Sequence, residues 1–247
     1  LFAIQAAGLI AGGLCALLMP RLDRRAPPER RESILASLAD GLAAVARSPV
    51  LLPMTLIMVA VGLLIVGGGF FVIIPVLVRE AYGGGYALLA TLMVCFWIGA
   101  FTANVLLARR GAIERPGRAL LYAQLVTVAS MAAFAAPLPQ SALFGLVFFW
   151  GLGAGVAISL SRAVVQEHAP ADKIARVMSV YQLGLFGGMP LGAAATGFIV
   201  EALGPRPAAL IPAAGLLAVL AWITLATPIL QVRRTEPGGT PISSGET

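Results

Sequence analysis

Seven apolar runs separated by short polar stretches organise the chain, over residues 1–19, 51–78, 86–108, 119–138, 141–161, 177–200 and 208–230. Crossing about 30 Å of hydrocarbon takes about 20 helical residues, and each run is of that order. The runs are continuous and rich in Leu, Ala, Val and Gly. Strands of a membrane barrel would instead alternate apolar and polar over about 10 residues. The pattern therefore predicts transmembrane helices. Between the first two runs, Ile34, Leu38, Leu42 and Val45 recur at helical spacing with Arg30, Arg31 and Arg47 nearby. That spacing predicts a short amphipathic helix, lying on the membrane surface or serving as a connector. The tail from Gln231 onward is rich in Gly, Pro, Ser and Thr without an apolar period, and is expected to be disordered.

Composition sharpens the membrane reading. Apolar residues make up 59% of 247 positions and charged residues 11%, with a mean hydropathy of +0.93. Soluble domains carry about 25% charged residues. The net charge of +6 would suit nucleic acid, but the basic residues lie between apolar runs without interleaved aromatics for base stacking. Their distribution is topological. The 17 Lys and Arg split 15 to 2 between alternate loops, with Arg79 and Arg206 on the poor side. Positively charged flanks stay in the cytoplasm, so the N-terminus is expected outside and the C-terminus inside. The outer loops are too short for a folded domain.

Charge is also informative inside the runs, where no Asp, Glu, Lys, Arg or His lies well within any block. Buried ionisable groups mark proton relays. The polar groups left in the runs include Thr55, Thr91, Asn104, Gln124, Ser159, Gln182 and Thr196. Gly67, Gly68 and Pro75 in the second run, and Gly187, Gly188 and Pro190 in the sixth, are candidate bending points. Close helix packing explains the same glycines, and is the preferred reading of the Gly151 and Gly155 pair. Aromatic residues Phe70, Phe71, Phe96, Trp97, Phe148, Phe149, Trp150, Tyr181 and Phe186 suit a pocket for a bulky lipophilic solute, with some of them facing lipid instead. Cys15 and Cys95 sit in apolar runs and His168 stands alone, so neither a disulfide nor a metal site follows. No nucleophile elbow or P-loop is present, and neither enzymatic activity nor a cofactor is expected.

Two segments resemble a known family. Glu114-Arg115-Pro116-Gly117-Arg118 resembles the D-R-x-G-R signature of the major facilitator superfamily, with Glu in place of Asp. Arg176 to Leu183, running into Gly187-Gly188-Met189-Pro190-Leu191-Gly192, resembles helix eleven of the branch holding the enterobactin exporter and the transmembrane secretion effectors. Arg162 to Pro170 is similar to that branch's turn after helix ten. The resemblance implies an all-α membrane protein of about seven transmembrane helices. Residues 1–20 would be the last helix of an N-terminal half, 21–49 the cytoplasmic central loop, 50–231 the six-helix C-terminal half and 232–247 a tail. The first five helices would precede this chain, which opens without an initiator Met or a signal-peptide n-region.

The resemblance further implies a secondary transporter working by alternating access against an N-terminal six-helix half, in the cell inner membrane. It implies export of a small lipophilic or siderophore-like solute, with protons as a possible coupling ion. Thr55, Thr91, Trp97, Ser159, Tyr181, Gln182 and Phe186 are then candidates to line the central cavity. Glu114, Arg115, Gly117 and Arg118, with Arg176, form a candidate cytoplasmic latch, for which a solvated charge run is the plain alternative. A non-transporting membrane scaffold or sensor, and the permease subunit of an ATP-driven pump, remain as other functions for the same helices.

Overall fold

The computed structural model describes residues 2–18, 33–111 and 113–227. The expected tail and most of the stretch between the first two runs, including Arg30 and Arg31, lie outside the described residues. Helix α1 (Phe2–Leu18) forms one unit; the rest of the described chain forms a second, all-helical unit. In the latter, α2 (Ile34–Arg47) precedes a long rod composed of α3 (Leu51–Ala60), a π-helical segment (Val61–Ile73) and α4 (Ile74–Tyr82). There follow α5 (Tyr86–Arg110), α6 (Pro116–Ala133), α7 (Gln140–His168), α8 (Ile174–Gly187), α9 (Met189–Leu203), α10 (Pro205–Ala208) and α11 (Leu210–Ala226).

Among the described residues, five rods are long and apolar enough to cross a membrane: Leu51–Tyr82, Tyr86–Arg110, Gln140–His168, Ile174–Leu203 and Pro205–Ala226. The first and fourth expected spans are represented by helices α1 and α6. Of the first, Phe2–Leu18 are described and the residues on either side lie outside the described ones. Helix α6 holds Arg118, Gln124, Thr127 and Ser130, which lower its hydropathy; the last three are buried against protein. Large apolar side chains cover the outside of the bundle, with Phe101 70%, Phe198 74% and Leu225 88% exposed. Such a surface calls for hydrocarbon around it.

Glycine decides which helices approach closely. A Cβ on Gly62 would overlap the carbonyl oxygen of Leu185, and one on Gly192 would overlap that of Leu63. The π-helical segment therefore packs backbone to backbone on α8 and α9. Likewise α5 meets α7 where Gly99 lies against Phe148 and Gly151 against Phe96. Gly151 and Gly155 are buried in that contact, as small residues separated by three allow. Asn104 adds polar attachment, its Oδ1 accepting a 2.6 Å bond from Ser159 Oγ.

The π-helical geometry has a local cause in sequence. Pro75 has no N–H to give to the carbonyl of the preceding turn, and its ring crowds that carbonyl. Widening to i→i+5 bonding absorbs the mismatch, and Gly67-Gly68-Gly69 offers no side chains to oppose it. At the far end of the rod, Gly83 takes φ 59° as the left-handed C-cap, and Gly84 N–H donates to the Val78 carbonyl at 2.9 Å. Tyr82 beside it donates its hydroxyl to the Leu138 carbonyl at 2.8 Å. The Arg206 guanidinium lies over the same ring at 5.7 Å.

Candidate functional site

The π-helical segment, α5, α6, α7, α8 and Met189 of α9 enclose a cavity of about 310 Å³. Its wall is mainly apolar and centred on Trp150, 1% exposed, whose indole meets three phenyl rings edge to face. Ring centroids lie 5.2 Å from Phe96, 5.8 Å from Phe70 and 6.0 Å from Phe134. Phe70 and Phe96 themselves stand 5.1 Å apart. Such edge-to-face clusters hold their geometry, giving a preformed apolar wall.

Helix α7 presents Trp150, Ala154, Ala157, Ile158 and Arg162 to this cavity, one face at helical spacing. The apolar run ends at Ser161, but the helix continues to His168, so Arg162 is a cavity residue and not part of a loop. Arg162, counted by sequence among the loop arginines, thus lies on a helix. Polar atoms are few. Tyr181 hydroxyl shares a 2.7 Å hydrogen bond with Ser161 Oγ, and Thr127 Oγ1 donates to its own helix at Ala123.

Of the seven lining residues expected, Trp97, Tyr181, Gln182 and Phe186 border the cavity. Among the described residues Thr55, Thr91 and Ser159 do not. Thr55 is buried on α3, near Gly184 of α8; Thr91 is exposed and donates to Ala87; Ser159 turns to Asn104. Gln124 and Thr127 of α6 take part instead, on a helix not expected to contribute. Among the bending candidates, Gly67 lies against Met189 backbone and Gly68 against Thr196. Gly188 is the break between α8 and α9, Gly187 ends α8, and Pro190 opens α9. Pro75 lies in the first turn of α4.

The basic end of the bundle carries an unexpected carboxylate. Asp40 of α2 accepts a 2.7 Å hydrogen bond from Lys173 Nζ and a 2.5 Å bond from Arg176 Nη1, both at the start of α8. Below this triad α2 docks closely, with Val45 buried and Gly41 against the Arg176 carbonyl. Glu114 and Arg115 are exposed in their turn, Arg118 is exposed on α6, and Gly117 is buried. The described structure thus gives Arg176 to Asp40, while Glu114 stands apart.

Hydrogen bonds from Lys173, then from Arg176, hold the Asp40 carboxyl below its ordinary value of 3.8. A depressed carboxylate contributes stability above its unfolded value and loses it as pH falls through the folded one. The junction is therefore expected to be unchanged from pH 8 down to about 4 and to loosen only in stronger acid. Asp40→Asn should loosen it at neutral pH, raising tryptic cleavage at exposed Arg47 about twofold to fivefold in the solubilised protein. Equal cleavage of both proteins would show that apolar docking of α2 suffices.

The family model described as Major Facilitator Superfamily matches residues 1–193 and again residues 118–245. Together the two matches cover nearly the whole chain. The chain belongs to the major facilitator superfamily. None of the curated proteins matches it significantly. As a member of a superfamily of transporters, it is a multi-pass membrane protein embedded in lipid, which accords with its five membrane-capable rods.

Sequence reasoning missed Gln124 as a cavity residue, the role of Arg162, and Asp40 entirely. Gln124 is the most deeply buried amide of an otherwise ordinary span, 1% exposed, and burial of that kind leaves no local signature. Asp40 carries a signal only in retrospect, as an acid within a basic loop facing a basic helix start.

Proposed function

We propose that this chain provides the C-terminal half of a secondary transporter that exports a small lipophilic or siderophore-like solute by alternating access. The observation that carries the reading is the aromatic-walled cavity between the π-helical segment, α5, α7 and α8. It has the size and apolar lining of a small-molecule site, and glycine-mediated contacts beside it would let whole helices rock as units. In this reading the half works against a six-helix N-terminal partner in the cell inner membrane. The arginine-rich loops and the C-terminus face the cytoplasm.

The same reading assigns the Glu114–Arg118 turn to a cytoplasmic latch. Glu114 would meet Arg176 in the outward-open state, in exchange for part of its contact with Asp40. Protons would serve as the coupling ion through groups outside this bundle, since within the cavity the described ionisable side chains are Arg162 and Tyr181. Kinship with the enterobactin exporter branch rests on the Arg176–Gly192 segment. Saturable flux by the full-length protein in sealed vesicles tests the proposal. A scaffold or sensor would yield none.

A further inference from the structure

Two hydrogen-bond donors in the cavity wall have no partner. Gln124 Nε2 and Trp150 Nε1 are both buried without a hydrogen bond, on side chains only 1% exposed that line the cavity from α6 and α7. A buried donor left unmade is costly, and native proteins tolerate few. Two at one wall of one cavity make a site whose missing partner is an acceptor. Arg162 lines the same cavity, twelve residues beyond Trp150 and so about 18 Å along α7. Among the described residues no carboxylate pairs with it. Phe70 and Phe96 pack on the Trp150 end, and along α7 the wall from there to Arg162 is Ala154, Ala157 and Ile158.

We infer that the cavity selects an elongated, lipophilic anion: an apolar body with a carbonyl-type acceptor at the Gln124–Trp150 end and an acidic group at the Arg162 end. The inference rests on the transporter reading and specifies its substrate class. A site built to hydrogen-bond its ligand rejects the isostere that lacks the acceptor, because the buried donors then stay unpaired. An apolar cavity alone would make no such distinction. The guanidinium keeps its charge at any working pH and receives a carboxylate through paired N–H bonds.

Three rigid probes of one length separate these contributions. The first is a biphenyl with a para acetyl group at one end and a para carboxylate at the other. The second replaces acetyl by ethyl, and the third replaces carboxylate by methyl. Equilibrium dialysis against the purified full-length protein in lipid nanodiscs should show the first binding about tenfold more tightly than each of the others. Gln124→Leu and Trp150→Phe should each shrink the acetyl preference while leaving the carboxylate preference intact, and Arg162→Gln should do the reverse. Thermal unfolding of each variant establishes that it is folded.

If the wild type binds acetyl and ethyl probes equally, or if Trp150→Phe and Gln124→Leu leave the preference unchanged, the donors are satisfied within the protein. The inference is then overturned. Saturable flux persisting in that case would leave the transporter reading standing; flux absent for every solute would remove that reading as well.

Discussion

Gly192→Val is expected to lower the midpoint of thermal unfolding of the solubilised protein by about 10 °C. A Cβ at this position would overlap the carbonyl oxygen of Leu63, and beside it Gly62 sits equally close to Leu185. Overpacking usually costs about 1–3 kcal/mol, because side chains shift to make room. Here both obstacles are backbone atoms of rods joined along their length, so relief requires moving a helix. Gly197→Val supplies the control on the same helix, since a Cβ there meets nothing within 4 Å. Its midpoint should match that of the wild type. Equal losses in the two variants would mean that valine harms the helix itself and that close approach at Gly192 is not what the glycine provides.

Trp150→Ala should be comparably damaging. The indole is buried to 1% and is the ring on which Phe70, Phe96 and Phe134 converge from three other elements. Truncating a buried aromatic to alanine costs about 3–5 kcal/mol where the surroundings cannot collapse. Collapse is opposed here by glycine contacts that already hold α5 and α7 at minimum separation. Trp150→Phe keeps a ring in the cluster and should cost less than about 1.5 kcal/mol. Thermal unfolding monitored by fluorescence-detected gel filtration separates the cases. If alanine and phenylalanine variants melt together near the wild type, Trp150 is not the keystone of the wall.

The spans were legible in the sequence because hydrocarbon demands length and continuity, and residues 51–78, 86–108, 141–161, 177–200 and 208–230 supply both. Which face of each span looks into the cavity was not legible. A span apolar all round has no periodicity to mark one side, so assigning Thr55, Thr91 and Ser159 by helix alone chose residues that face elsewhere. Of the aromatic residues, Phe70, Phe71, Phe96, Trp97, Trp150, Tyr181 and Phe186 border the cavity, while Phe148 and Phe149 do not. Arg162 was hidden by a boundary: hydropathy ends at Ser161, and nothing in hydropathy reports that the helix runs on to His168. The Asp40 contact joins residues 133 and 136 apart, a pairing fixed only by how α2 docks.

Counterflow asks whether this bundle carries a solute through alternating access. Full-length protein in proteoliposomes is loaded with excess unlabelled acetyl- and carboxylate-bearing biphenyl, then diluted into a trace of the labelled compound. Alternating access predicts that label accumulates transiently above its equilibrium level, because each unlabelled molecule leaving resets the site to take a labelled one. Entry that rises to equilibrium without overshoot, or no entry beyond protein-free liposomes while the same compound binds, would contradict the account.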